Sequence, residues 1–201
     1  MRQACVKLLR VNVAKVGRLF IGPSRNTPRI ATAIHKQPVS GPVIVGKLGL
    51  AGDEQADLSI HGGLHKAVYA YPAEHYPFWR VQRLAVLKRD DPLPFGSMGE
   101  NLTIEGLPET DVWIGDRVQV GATLLEVTEP RPPCFKLAAK MGFSHALKMM
   151  VQSGYTGFYL RVLKTGTVQT GDNLTLIPGP RQVSVAMVNA RRWKGCQQDL
   201  F

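Results

Sequence analysis

The sequence predicts a β-rich fold, mainly strands with a few α-helices, closed into a barrel. Three observations carry this: short apolar or alternating runs dominate, β-branched residues are frequent in them, and Gly, Pro and Asp separate them. "IGDRVQVG" and "TGDNLTLIP" each set a Gly-Asp turn ahead of an alternating strand, and "VGATLLEV" adds another tight connection. Such punctuation suits a closed or strongly curved barrel. The 201 residues suffice for one substantial domain, which would bury roughly 70% of its unfolded surface.

In chain order, strands are expected at 6–13, 67–71, 101–104, 112–114, 117–120, 123–127, 158–163 and 173–177. Helical signals are fewer. "PAEHYPFWRVQRLAVLKRD" spaces Tyr76, Trp79, Val81, Leu84 and Leu87 near a helical period, and His75 reads as a packed or partly exposed helix residue. "FSHALKMMVQSG" offers Ser144 as an N-cap and Gly154 as a stop. In "EPRPPCFKLAAKMG" the prolines make 131–133 stiff and extended, so Cys134 should sit where a rigid loop turns into a helix. After Pro178 and Pro180, "VSVAMVNARRW" reads as the first turn of a further helical element. The expected organisation is a barrel domain over 1–180 and a short tail over 181–201.

Lys and Arg number 25 against 15 Asp and Glu, a net charge of +10 that favours anionic partners. The basic residues are scattered and no nucleic-acid-binding signature accompanies them, so a solvated basic surface is expected and specific nucleic-acid binding is not. Cys5, Cys134 and Cys196 are odd in number, widely spaced and lack a CxxC pair. This points to a reducing, cytoplasmic setting and away from a structural zinc site. Lys7, Arg10, Lys15 and Arg18 interrupt every apolar run near the start, so neither a secretory segment nor a membrane span is read there.

Three stretches carry candidate chemistry. At Cys134 a helix start and nearby Arg131 and Lys136 favour a reactive thiolate, and a buried structural cysteine is the competing reading. The densest polar cluster holds Asp53, Glu54, Asp57, His61, His65 and Lys66 within fourteen residues. There Gly62 and Gly63 free the backbone after His61, a proton donor near neutral pH if a carboxylate orients it. A solvated turn explains the same residues. His61 and His65 have metal-pair spacing, but two glycines between them argue against the helix such a pair needs. In "GSMGENLTIEGL", Glu100 and Asn101 start a strand after Gly99, an acid for proton handling and an amide to fix a ligand, or an ordinary β-turn.

Taken together, "GDEQAD..IHGG..KAVYAYP.EHY.FW", "GENL..EGL", "V.IGD.V.VG" and "PR.PC.KL", in this order, resemble the MOSC domain of molybdenum-cofactor proteins, its YiiM-type members most closely. The likeness is strongest over 48–178. It implies a MOSC-type closed β-barrel and a molybdenum pyranopterin (Mo-molybdopterin) cofactor, with Cys134 as the metal ligand. A thiolate is a soft ligand suited to such a metal, and a fixed loop preorganises it. The likeness further implies reduction of N-hydroxylated compounds such as hydroxylaminopurine bases, with electrons from a separate donor reductase. His61, with Asp53 or Glu100, is the expected proton relay. Asn101, Lys66, Arg131, Lys136 and Arg161 are the expected cofactor-binding residues. A non-enzymatic carrier of the cofactor, or of a persulfide on Cys134, is the alternative. The tail resembles the beginning of a C-terminal three-helix extension, and a homodimer is left open.

Overall fold

A computed structural model describes residues 6–20, 29–56, 62–88 and 90–198. The chain begins with β1 (Val6–Val13), β2 (Gly17–Phe20), β3 (Arg29–Thr32), β4 (Gln37–Pro38), β5 (Val43–Gly46), β6 (Gly49–Leu50) and β7 (Val68–Pro72). Then come α1 (Tyr76–Leu87), β8 (Leu102–Glu105), β9 (Arg117–Val120), β10 (Thr123–Pro130), α2 (Phe135–Met141) and α3 (Ala146–Ser153). The order ends with β11 (Phe158–Lys164), β12 (Gly166–Val168), β13 (Asn173–Ile177) and α4 (Val185–Gln198).

Seven strands run in the order β13-β9-β10-β11-β7-β8-β1, and pairing of β1 with β13 closes them into the expected barrel. Closure leaves no unpaired edge among these seven. Only β7 and β8 are parallel, and they are joined through α1, as a parallel pair requires a long crossover. Short strands form two side sheets, β12-β5-β6 and β2-β3. Among the described residues no helix is long and apolar enough to cross a membrane.

Two apolar cores follow from the strand period. Val68 and Ala70 on β7 point into the barrel with Leu8, Ile104, Leu125 and Leu160. The alternate residues Tyr69 and Tyr71 face a second core with Trp79, Met98, Leu137 and Met150, beneath α1, α2 and α3. Every residue of β7 is therefore buried. Where β11 meets β7, Gly157 adopts φ 63° with its amide donating to Glu109 Oε1 at 2.7 Å. A Cβ there would lie 2.4 Å from the Ala70 carbonyl oxygen, so only glycine allows this approach.

The strand expectations at 6–13, 117–120 and 173–177 match β1, β9 and β13. Residues 112–114 differ: Trp113 makes a single bridge to Ser184, and Ile114 donates its amide to the Val183 carbonyl, so this stretch has no extended partner strand. Helix α3 starts with His145 as N-cap, and Ser144 makes no cap; Gly154 ends it at φ 71°, as expected. His75 precedes α1 in a 3₁₀ turn, buried, with its Nε2 2.6 Å from Glu109 Oε2. Helix α4 extends over fourteen residues, well beyond a first turn. It packs on the barrel, where Arg192 Nη1 donates to the Pro130 carbonyl at 3.1 Å and Asn189 Nδ2 to the Gly154 carbonyl at 2.9 Å.

Candidate functional site

A cavity of about 630 Å³, its open mouth included, lies where the outward tyrosines of the barrel wall meet the start of α2. Cys134, Arg131, Lys136, Asp53, Asn101 and Lys66 all line it. These six expected residues come from segments up to 83 positions apart, between Asp53 and Lys136, which only the closed barrel brings together.

Cys134 is placed by the end of β10. A bulge at Thr128 shifts the β10–β11 register, so that Glu129 pairs with Tyr159 and Pro130 with Phe158. The Arg131 amide then donates to the Gly157 carbonyl at 3.3 Å. Two prolines carry the chain to Cys134, which is extended at φ −137° and ψ 140° and is the N-cap of α2. Its carbonyl accepts from the Leu137 amide at 2.8 Å. The thiol is half-buried at the cavity wall, free of any disulfide.

Arg131 is 5% exposed. Its guanidinium lies 5.4 Å from the Tyr69 ring centroid, and Nη1 is 3.5 Å from Met150 Sδ. Burial opposes its charge, but Tyr69, Tyr159 and Cys134 around it hold its pKa above the ordinary value. Burial also pushes up the pKa of Tyr69 and Tyr159, so both phenols stay protonated near neutral pH. A buried cation against aromatic rings and a thioether is costly unless an anion faces it. An anionic ligand in the cavity would supply that anion.

Asp53 is locked in place. Its Oδ1 accepts from Lys36 Nζ at 2.5 Å and from the Ala14 amide at 2.7 Å, and its Oδ2 accepts from Asn101 Nδ2 at 2.8 Å. The Lys36 and Asp53 side chains are 6% and 5% exposed. Burial lowers the Lys36 pKa and Asp53 opposes that shift. Asn101 Oδ1 accepts from the Tyr69 amide at 3.1 Å, so the amide fixes β7 to the acid. With three donors on its two oxygens, Asp53 organises the wall.

Glu100 is not part of the cavity lining. It is fully buried behind the 96–99 loop, where Oε1 accepts from Tyr76 Oη, the Gly96 amide and Thr103 Oγ1, and Oε2 from the Met98 amide. Burial raises its pKa against these hydrogen bonds. The carboxyl shapes the loop whose Met98 and Gly99 do line the cavity. Its sequence position beside Asn101 suggested a shared pocket, but alternation along the strand start sends the two side chains to different surroundings. Arg161 likewise faces elsewhere: Nη2 pairs with Glu126 at 2.5 Å in a separate groove with His65 and Thr128. Lys66 stands on the cavity wall with Nζ 3.6 Å from Glu129 Oε1. His61 lies outside the described residues, as do Asp57 and Cys5.

Lys36, Tyr69 and Tyr159 escaped the sequence reading. "AVYAY" did carry a signal, because alternating tyrosines on a strand with Val68 and Ala70 inward must find a second covered face. Lys36 carried none. Among the described residues no group of three or more His, Cys, Asp or Glu is placed to hold a metal ion.

The MOSC domain family model matches residues 57–175, more than half of the chain. The chain belongs to the MOSC domain family. Among relatives of this MOSC chain, YflK of Bacillus subtilis is 42% identical over 190 residues, covering 94% of the chain and 81% of the relative. A protein of Gibberella moniliformis named "Reductase" is 38% identical over 174 residues; the match covers 86% of this chain but 29% of that longer protein. The crystal structure of YiiM from Geobacillus stearothermophilus superposes with a TM-score of 0.73 at 33% identity, over 94% of this chain and 85% of that one. MOSC domains are associated with molybdenum cofactor binding in general.

The donor set fits such a group. Four cations, Lys36, Lys66, Arg131 and Lys136, line the cavity against the carboxylates Asp53 and Glu54. Asp53 is already matched by Lys36, Glu54 pairs with Lys15 at 3.0 Å, and Lys66 lies 3.6 Å from Glu129, so the balance rests on Arg131 and Lys136. An anionic, sulfur-bearing cofactor suits the positive balance that remains beside a thiol.

Proposed function

We propose that this chain is a molybdenum-cofactor-dependent oxidoreductase that reduces N-hydroxylated compounds, hydroxylaminopurine-type bases among them, to amines. One observation supports this above the rest: a cavity holds Cys134 beside a buried guanidinium that has no carboxylate partner among the described residues. The reaction is N–OH + 2 e⁻ + 2 H⁺ → N–H + H₂O. Bound there, the molybdenum pyranopterin supplies the two-electron redox step, with electrons from a separate donor protein.

Cys134 ligates the metal from a backbone stiffened by Pro132 and Pro133. Arg131 balances the negative charge of the thiolate and cofactor, and Tyr69 and Tyr159 exclude water from that ion pair. Lys66 and Lys136 are placed on the wall for anionic groups. Protonation of the departing oxygen falls to groups at the cavity. Tyr159 and Lys66 line the cavity, and His61 follows in sequence from Gln55 and Ala56, which line it too. Asp53 orients Asn101 and Lys36, and Glu100 holds the loop.

Protein made in a host competent for the cofactor tests the reading. Near-stoichiometric molybdenum, with reduction of 6-hydroxylaminopurine by an artificial electron donor, is the expected result. Folded protein free of molybdenum would overturn it. Molybdenum without turnover would return the carrier reading.

A further inference from the structure

A second groove opens beside the first and shares Lys36 with it. Its space is about 1000 Å³, mouth included, the upper end of what small-molecule sites occupy. Arg10 and Lys140 face it together with Lys36, and Leu93, Pro94 and Phe95 form an apolar side. Among the described residues no carboxylate lines it. Lys36 is already matched by Asp53, which leaves Arg10 and Lys140 to an outside anion. Lys140 Nζ lies 3.0 Å from His35 Nδ1, a neighbour that can share a proton but brings no negative charge. Glu100, a buried acid behind the groove wall, is turned inward onto the Gly96 and Met98 amides.

The apolar side is rigid. Phe95 packs edge-on against Tyr76 with centroids 5.0 Å apart, and Tyr76 is in turn bound to Glu100. The backbone amides of Gly96 and Ser97 are taken by Glu100 and Tyr76, so the cationic side chains are the donors left for a ligand. Two cationic side chains, a fixed aromatic ring and a wall shared with the Cys134 cavity fit a dianion joined by a short spacer to a planar base. A phosphomonoester on a ribose has this form, and two positive side chains match its charge.

We propose that this groove takes the phosphate of a substrate presented as a nucleoside monophosphate, whose purine reaches over Lys36 into the Cys134 cavity. The inference rests on the reductase reading for the identity of the reacting base, and on the groove alone for the phosphate. Burial lowers the Lys140 pKa, and a bound phosphate would oppose that shift.

Calorimetric titration of the purified protein with adenosine 5′-monophosphate and with adenosine separates the two supports. The monophosphate should bind about tenfold or more tightly than adenosine, the scale of one or two charge-assisted hydrogen bonds. The double substitution Arg10→Ala/Lys140→Ala should bring the two ligands level while molybdenum content stays at the wild-type value. In loaded enzyme the ratio of kcat/KM for the N-hydroxylated nucleotide over the free base should collapse toward one in the same variant. Equal affinity for the two ligands in the wild type would overturn the inference. So would a preference that survives the double substitution, or loss of molybdenum from the variant, which would give the groove to the cofactor. Monophosphate binding that depends on Arg10 and Lys140 without any turnover would establish the phosphate site and sink the reductase reading instead.

Discussion

Asp53→Asn isolates what the buried pair in the cavity wall contributes. The substitution keeps the shape and one acceptor oxygen, but leaves the Lys36 ammonium, 6% exposed, without its counter-charge. Removing one partner of a buried ion pair costs about 3–5 kcal/mol, because the remaining charge stays desolvated. For a chain of this size that loss lowers Tm by roughly 6–20 °C. The cost has a pH signature. Burial already depresses the Lys36 pKa below 10.5, and Asp53 is the main influence opposing the shift, so the variant depresses it further. The unfolded chain then binds a proton that the folded one gives up, and stability rises with pH. The penalty is complete below the folded-state pKa of Lys36. It disappears as pH climbs from there to 10.5, and the window is wider in the variant. Urea unfolding followed by tryptophan fluorescence between pH 6 and 10 measures this. The double variant Lys36→Met/Asp53→Asn should recover most of the stability, since an uncharged pair needs no compensation. A loss under about 1 kcal/mol for Asp53→Asn, or a double variant no more stable than the single one, would refute the reasoning.

Cys134→Ser should keep the fold and lose molybdenum retention or reduction, whereas Cys5→Ser and Cys196→Ser leave both near wild type; metal analysis and artificial-donor assays on all three decide it. Arg131→Met should lower molybdenum retention by removing the buried cation, while Arg161→Ala, facing Glu126 in another groove, should not. Glu100→Gln places an amide where two backbone amides and Tyr76 Oη donate, and should cost about 1–3 kcal/mol in urea unfolding. If His61 protonates the leaving oxygen, His61→Asn should retain molybdenum and lose about 10²-fold in turnover, and a full-rate variant would remove it from the relay.

The sequence alone determined the barrel strands and the place of Cys134. Period-2 runs between Gly-Asp turns allow few structures other than strands, so β1, β9 and β13 were legible to the residue. Two prolines before a helical run restrict φ locally, which fixed Cys134 as the entry to α2 without any distant contact. Only the tertiary structure decided what stands around that thiol. Asn101 and Glu100 are neighbours in sequence, yet closure of β8 against β7 and β1 turns one into the cavity wall and buries the other behind it. Arg131 and Arg161 looked alike as cations. The bulge at Thr128 and the burial of Tyr69 direct the first into the cavity, while the β10–β11 register sets the second against Glu126. Lys36 became part of the site only because the fold brings its ammonium onto Asp53, a contact across 17 positions. Local geometry is written in nearest neighbours and can be read from them, whereas charge pairing and burial depend on which distant strands close the barrel.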